Sequence, residues 1–306
     1  MSGTALLGGY AADLALGDPR RWHPVAGFGQ AALRVERLAY APTRHRGALF
    51  AGALVTAAAL AAELASRAGR GPVLAALTWA ALGGRSLTSE ARRIAALVDG
   101  GDLAGARRAL PALVGRDTSE LSEEQVCRAA VESVAENTAD AVVGALFWGA
   151  LAGPAGVAAY RCANTLDAMV GNRSERYESF GWAAARLDDL MSWPGARGGA
   201  ALAAAAAPLV GGSPRAAWAT TRRDGPAHPS PNAGRMEAAF AGALGVTLGG
   251  PLSYGGRVEL RPTLGDGRAP RPDDVRRAAR LSLAVGACAA AACACLRGTR
   301  GRRRRR

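Results

Sequence analysis

The amino-acid sequence predicts an all-α fold, a polytopic membrane bundle whose polar helical and loop segments form the site. Apolar runs of 13 to 20 residues recur along the chain. Alanine fills most of them, and small side chains let helix backbones approach closely, as membrane helices do. Aromatic residues are only 5% of the chain, so strand propensity is low, while 49% hydrophobic residues supply a buried interior.

Residues 4–16 are a marginal apolar run. In Gly17-Asp18-Pro19-Arg20-Arg21-Trp22-His23-Pro24-Val25 two prolines fix an extended path that holds Asp18 and His23 toward a pocket. Residues 47–66 carry one charge, Glu63, near their end, and are long enough to cross about 30 Å of hydrocarbon. Residues 72–84 follow Arg67 and Arg70, which predicts a helical hairpin with a basic turn. Residues 141–160 form a third span, interrupted at Gly153-Pro154 by a kink or a re-entrant segment. Residues 198–212 and 280–296 are shorter and mostly Ala, which inserts weakly. A mean hydropathy of +0.04 leaves a soluble Ala-rich bundle as the alternative. One domain is expected over residues 1–296, followed by an Arg-rich tail, 297–306, whose terminal Arg302 to Arg306 run is read as solvated and cytoplasmic or in contact with anionic lipid.

The formal charge is +13, and all 38 basic residues are Arg. Without Lys there is no Schiff base with pyridoxal phosphate and no Walker A lysine, so any phosphate clamp must be arginine. The basic residues are scattered without interleaved aromatics, which argues against nucleic acid as a partner. Five cysteines lack a C-x-x-C pair, so no zinc site is expected and they read as small buried hydrophobes. No removable signal peptide is expected.

The strongest local pattern runs from Gly115 to Asp140. Ser122 to Gln125 has the form of a capping box, so a helix starts there and runs toward Asp140. Val126, Ala130, Val131, Val134 and Thr138 give an apolar face; Glu124, Arg128, Glu132, Glu136 and Asp140 recur at steps of four as a polar stripe, with Asn137 beside it. The stripe is either a magnesium site bearing nucleotide phosphates or a solvated face with Arg128 as an internal ion pair. Asn164, Asp167 and Gly171 share a helical face where an apolar run ends, and Arg173 and Arg176 follow as a phosphate fork or as ordinary interfacial arginines. Arg186, Asp188 and Asp189 precede Trp193-Pro194-Gly195, which is expected to end that helix. The adjacent acids point about 100° apart, so one binds a metal while the other pairs with Arg186, or both belong to the surface. In His228-Pro229-Ser230-Pro231-Asn232-Ala233-Gly234 rigid turns lead into a helix that Asn232 could cap, and His228 is either a structural donor or a base. Leu248 to Gly256 reads as a glycine-rich loop without a nucleotide-binding motif.

GDPRRWHPV, GRDTSEL, ESVAENTADAVV, NTLDAMVG, ERYESFGWAAARLDDL, HPSPNAG and LGGPLSYGG occur in this order, and together they resemble the CobD/CbiB family of cobalamin biosynthesis proteins over about residues 8–280. The chain departs from the family pattern at Arg235-Met236, where Trp-Pro is usual, and at Ala227, where a basic residue is usual. The resemblance implies a multi-pass protein of the plasma membrane. It implies an adenosylcobinamide-phosphate synthase that uses ATP and Mg2+, without pyridoxal phosphate, to join aminopropanol or its phosphate to adenosylcobyric acid. Other membrane proteins of the cobalamin pathway are implied partners alongside corrinoid and lipid bilayer. Carried onto this chain, Glu132, Glu136, Asp167 and Asp189 are the expected catalytic residues, and Glu136, Asp140, Asp188 and Asp189 the expected metal ligands. Arg116, Asn137, Asn164, Arg173, Arg176, Arg186, His228 and Asn232 are the expected substrate and phosphate binders. The alternative is a non-catalytic membrane protein that binds or channels corrinoid intermediates.

Overall fold

The computed structural model describes residues 2–19, 23–172, 174–254 and 257–303. In chain order the helices are α1 (Ser2–Leu16), α2 (Pro24–Ala39), α3 (Arg44–Ala65), α4 (Arg70–Ala81), α5 (Gly84–Asp99), α6 (Leu103–Ala109), α7 (Glu123–Asn137), α8 (Gly144–Ala152), α9 (Pro154–Leu166), α10 (Trp182–Ala206), α11 (Pro214–Arg223) and α12 (Ala233–Leu244). An antiparallel hairpin, β1 (Leu248–Tyr254) and β2 (Arg257–Leu264), and α13 (Pro272–Arg303) complete the chain. The chain divides into two compact units, one of residues 1–83, 140–195 and 289–306, the other of residues 84–139 and 196–288.

In the first unit α9 packs against α3, α4 and α8. A core of Ala32, Phe50, Ala51, Leu166, Val170, Phe180 and Ala184 closes around the Phe50 and Phe180 rings, whose centroids are 5.1 Å apart. Glycine permits the close approach here, because a Cβ on Gly47 would run into the Phe180 carbonyl. In the second unit α12 lies between α7 and α11, and Met236 to Ala241 are buried without a break.

Several sequence expectations hold. The capping box forms as read, with Ser122 Oγ accepting from the Gln125 amide and Gln125 Oε1 accepting from the Ser122 amide. Val126, Ala130, Val131, Val134 and Thr138 are all buried. Two helices among the described residues are long and apolar enough to cross a membrane, Arg44–Ala68 and Pro272–Thr299. The first leaves Leu49, Leu60 and Leu64 more than half exposed.

Other expectations are corrected. The fold is nearly all-α rather than all-α: the segment read as a glycine-rich loop is β1, because Gly249 and Gly250 take positive φ at a bulge that lets the chain pair with β2. The run at 72–84 is α4, whose 12 residues span about 18 Å, and it packs mainly on α1 and α9 rather than forming a hairpin with α3. The run at 141–160 is not one span. Gly153, at φ 71°, and Pro154 at the first helical position separate α8 from α9, and these two short helices pack on each other. The run at 198–212 is the end of α10 and a 3-10 turn.

Pro194 does not end α10, which continues to Ala206. A proline removes one amide donor, and the turn around it is held from outside: Trp148 Nε1 donates to the Met191 carbonyl at 2.8 Å. Arg297, the first residue of the Arg-rich tail, is still part of α13. The helix runs on through it, and its guanidinium donates to the Gly149 and Ala150 carbonyls at 2.7 and 3.0 Å, closing the C-terminal end of α8. Among the cysteines, Cys127, Cys162 and Cys293 are buried as expected, but Cys288 and Cys295 lie on an exposed face of α13.

Candidate functional site

The polar stripe of α7 is anchored at its middle, Arg128 and Glu132, and exposed at Glu124 and Glu136. Glu132 Oε2 accepts from Arg116 Nη2 at 3.2 Å in a pair only 6% and 12% exposed, and Glu132 Oε1 accepts from the Gly249 amide at 2.8 Å. One turn earlier Arg128 Nη1 donates to the Gly249 carbonyl at 2.7 Å. Two stripe residues four apart therefore grip both sides of one residue in the hairpin, which gives i, i+4 spacing a structural reason. Glu136 is exposed, and Asn137 Nδ2 donates to the Ser133 carbonyl and hydroxyl. From Thr138 the helix widens into a π turn, so Asp140 no longer continues the stripe.

Behind this stripe the second unit buries a carboxyl that the sequence reading missed. Glu237, in the apolar α12, is 3% exposed, with Oε1 3.8 Å from His228 Nε2. Burial, reinforced by Glu132 and Glu136, holds its carboxyl well above the usual carboxylate range against the pull of Arg261 and Arg116. Arg261 Nη1 stands 3.4 Å from the same imidazole nitrogen. The available signal was one acid inside the alanine-rich run that follows HPSPNAG. Asn232 occupies the N-cap position of α12 but does not cap it: its Oδ1 accepts from Arg197 Nη1 at 3.1 Å, and Ser230 Oγ takes the Ala233 amide instead.

The first unit holds its own cluster. Asp188 is buried and accepts from Asn164 Nδ2 and Ser192 Oγ, both at 3.3 Å, while Ser192 also meets Tyr160. Asp189 turns outward, 3.7 Å from Arg186. The adjacent acids thus divide as the helical geometry predicts. Burial pushes Asp188 up to about 6, with Asp189 adding to the shift and the Asn164 and Ser192 hydrogen bonds opposing it; burial also raises Asp189. Because the folded-state pKa of Asp188 is raised, its contribution to stability is complete below pH 4 and is lost as pH rises through about 6. Asp188→Asn keeps an acceptor for both donors without a charge to bury. It is therefore expected to melt higher than the wild type at pH 8, with the gap narrowing as pH falls from about 6 and closing below pH 4; thermal melts in detergent across that range check this.

Asp167 lies in a second π turn, its carboxylate set against Gly171 so tightly that a Cβ there could not fit. Arg176 is held by Glu36 at 2.7 Å and lies 4.0 Å over the Tyr40 ring. Arg173 lies outside the described residues. The second unit therefore gathers Arg116, Glu132, Glu136 and His228, and the first gathers Asn164, Asp188, Asp189 and Arg186. Among the described residues no group of three or more His, Cys, Asp or Glu side chains is placed to hold a metal ion.

A family model described as CobD/Cbib protein matches residues 6–282. The chain belongs to the CobD/CbiB family. A protein of Mycobacterium tuberculosis named Cobalamin biosynthesis protein CobD is 54% identical over 282 residues, covering 91% of this chain and 90% of its own length. Proteins of the same name from Chromobacterium violaceum, 44% identical over 88% of each chain, and Pelobacter propionicus, 42% identical over 94% of each chain, are similar throughout. No solved structure matches. Membership in CobD/CbiB carries a role in cobalamin biosynthesis, and the buried acids and guanidiniums of both units lie within the matched residues.

Proposed function

We propose that this CobD/CbiB protein is an ATP-dependent ligase of the plasma membrane that joins aminopropanol or its phosphate to adenosylcobyric acid, giving adenosylcobinamide or its phosphate. The observation that carries the reading is the density of buried acids and arginines, Arg116–Glu132 with Glu237 in one unit and Asn164–Asp188 in the other, in a chain of this family. Burying such groups is costly unless they are used or fully paired. A multi-pass arrangement is supported by the exposed leucines of α3 and by the length of α13.

Magnesium bound with nucleotide needs only one or two carboxylates, because phosphate oxygens and water complete its shell. Asp189, with Asp188 beside it on α10, fits that requirement within the first unit. ATP would supply the phosphoryl group that turns the corrinoid carboxylate into an acyl phosphate. Arg186 and Arg173 then neutralise phosphate oxygens, and Asn164 orients Asp188 through their hydrogen bond. Arg116 is committed to Glu132 and acts by fixing that carboxylate.

Asp189→Asn and Glu136→Gln are each expected to lower turnover at least about 100-fold while leaving membrane insertion unchanged. Near-normal activity in Asp189→Asn would end the metal assignment on α10. Purified protein given adenosylcobyric acid, ATP and magnesium with either amine donor tests the ligase reading and identifies the donor. Corrinoid binding without product would instead favour a carrier of corrinoid intermediates.

A further inference from the structure

We propose that the first unit carries a binding site for an anionic amphiphile of the bilayer, an alkyl chain ending in a carboxylate or phosphate, whose headgroup is met by Arg161. The site rests on the membrane placement proposed above and is independent of the ligase reading.

The site follows from how the helices of this unit pack. Because α4 lies on α1 and α9 rather than back along α3, a cavity of about 340 Å³ is left between α3 and α4. α9 and the start of α2 complete its wall. On the α3 side Ala58, Ala61, Ala62 and Ala65 recur at helical spacing as one face, opposite Val73 and Leu77 of α4. Alanine there leaves unfilled the space that longer side chains would occupy. An empty apolar cavity forfeits dispersion contacts along its wall, and it holds water poorly, since water needs several polar partners. The Thr165 hydroxyl, which also lines the cavity, is already donated to the Arg161 carbonyl at 2.7 Å.

Arg161 is the one charged side chain among the described residues that line the cavity. Its Nη1 donates to Asn164 Oδ1 at 3.1 Å, while Nε is buried and has no hydrogen-bond partner among the described residues. Asp18, Asp140 and Asp188 act on the guanidinium through space. Their field offsets part of its charge but leaves the Nε donor unmet. A buried donor without an acceptor is costly, and an anionic oxygen entering the cavity satisfies it with a charge-assisted hydrogen bond.

Apolar walls with a single fixed polar group suit a small amphiphile, and a cavity of this volume is within the usual range for such ligands. A corrinoid macrocycle, fringed with amides and much larger, does not match it. The bilayer is the source because α3, which forms one wall, is long and apolar enough to cross a membrane. Leu60 and Leu64 of the same helix are 65% and 59% exposed, so lipid chains lie beside the cavity.

The test uses full-length protein in phosphatidylcholine vesicles at pH 8, with a palmitate analogue bearing a diazirine on its chain as the probe. Irradiation is expected to label the flank of α3 at Leu60 and Leu64 by bulk contact, and the α9 peptide 157–165 through the cavity. Unlabelled palmitate and phosphatidylglycerol should suppress the α9 labelling, and the stronger competitor identifies carboxylate or phosphate as the preferred headgroup. Hexadecanol, which has the chain without the charge, should compete at least about 10-fold less well. Arg161→Gln is expected to lower α9 labelling about 10-fold and to leave α3 labelling unchanged. Ala61→Phe, at an exposed position on the cavity wall, should do the same by filling the space, and it carries the test if the first variant does not fold. Unchanged α9 labelling in the folded variants, or none in the wild type, would overturn the proposal, as would hexadecanol competing as well as palmitate. Release of the protein from membranes by alkali would overturn the membrane placement itself, a result distinct from failure to bind the probe.

Discussion

Glu132→Ala is expected to lower the unfolding free energy by roughly 3–5 kcal/mol, the usual consequence of deleting one partner of a buried ion pair. Arg116, with a side chain 6% exposed, would lose the carboxylate it donates to, and the Gly249 amide would lose its acceptor. Changing both partners, Arg116→Met with Glu132→Met, removes the stranded charge. The double variant should then cost little more than the unpaired Gly249 amide, about 1–3 kcal/mol. Denaturant unfolding of the purified variants in detergent compares them. A double variant as unstable as the single one would show that the stranded Arg116 charge is not the source of the loss.

The second large effect is expected at the other end of the same clamp. Gly249→Ala should destabilise the protein by about 2–4 kcal/mol, combining an unfavourable backbone conformation with overpacking. Residue 249 has φ 76°, and a Cβ there would run into the Pro262 carbonyl of the facing strand. Gly245 is the matched control, with φ 69° and nothing near a Cβ, so Gly245→Ala should cost only about 1–2 kcal/mol. The difference between the two midpoints measures the steric part. Equal costs would mean that the hairpin yields freely and that the grip of Arg128 and Glu132 on Gly249 carries little energy.

The helices were legible wherever the signal was local. The Ser122 capping box, the apolar face of α7 and the long apolar run of α3 follow from spacing and side-chain type within a few turns, and they form as read, whereas the run read as short at 280–296 belongs to the longer α13. The hairpin was hidden because β1 carries glycines and a proline that mimic a loop, although β2 alternates as Arg257-Val258-Glu259-Leu260-Arg261. Asn232 was misjudged for a similar reason. Its position in the sequence suits a cap, but a guanidinium distant in the chain competes for its side chain.

By itself the sequence determined the helical character, the family and the groups available for chemistry, arginines without lysine and acids at helical spacing. These are properties of composition and of short-range periodicity. Tertiary structure alone decided which of those groups are committed. Glu132 and Arg128 hold a backbone, Arg176 is bound to Glu36, and Asp188 is buried while Asp189 is not. Glu237 stands out only once His228 and Arg261 are folded against it. A carboxylate's chemistry depends on the dielectric and charges within a few ångströms of it, and those neighbours come from segments far apart in the chain.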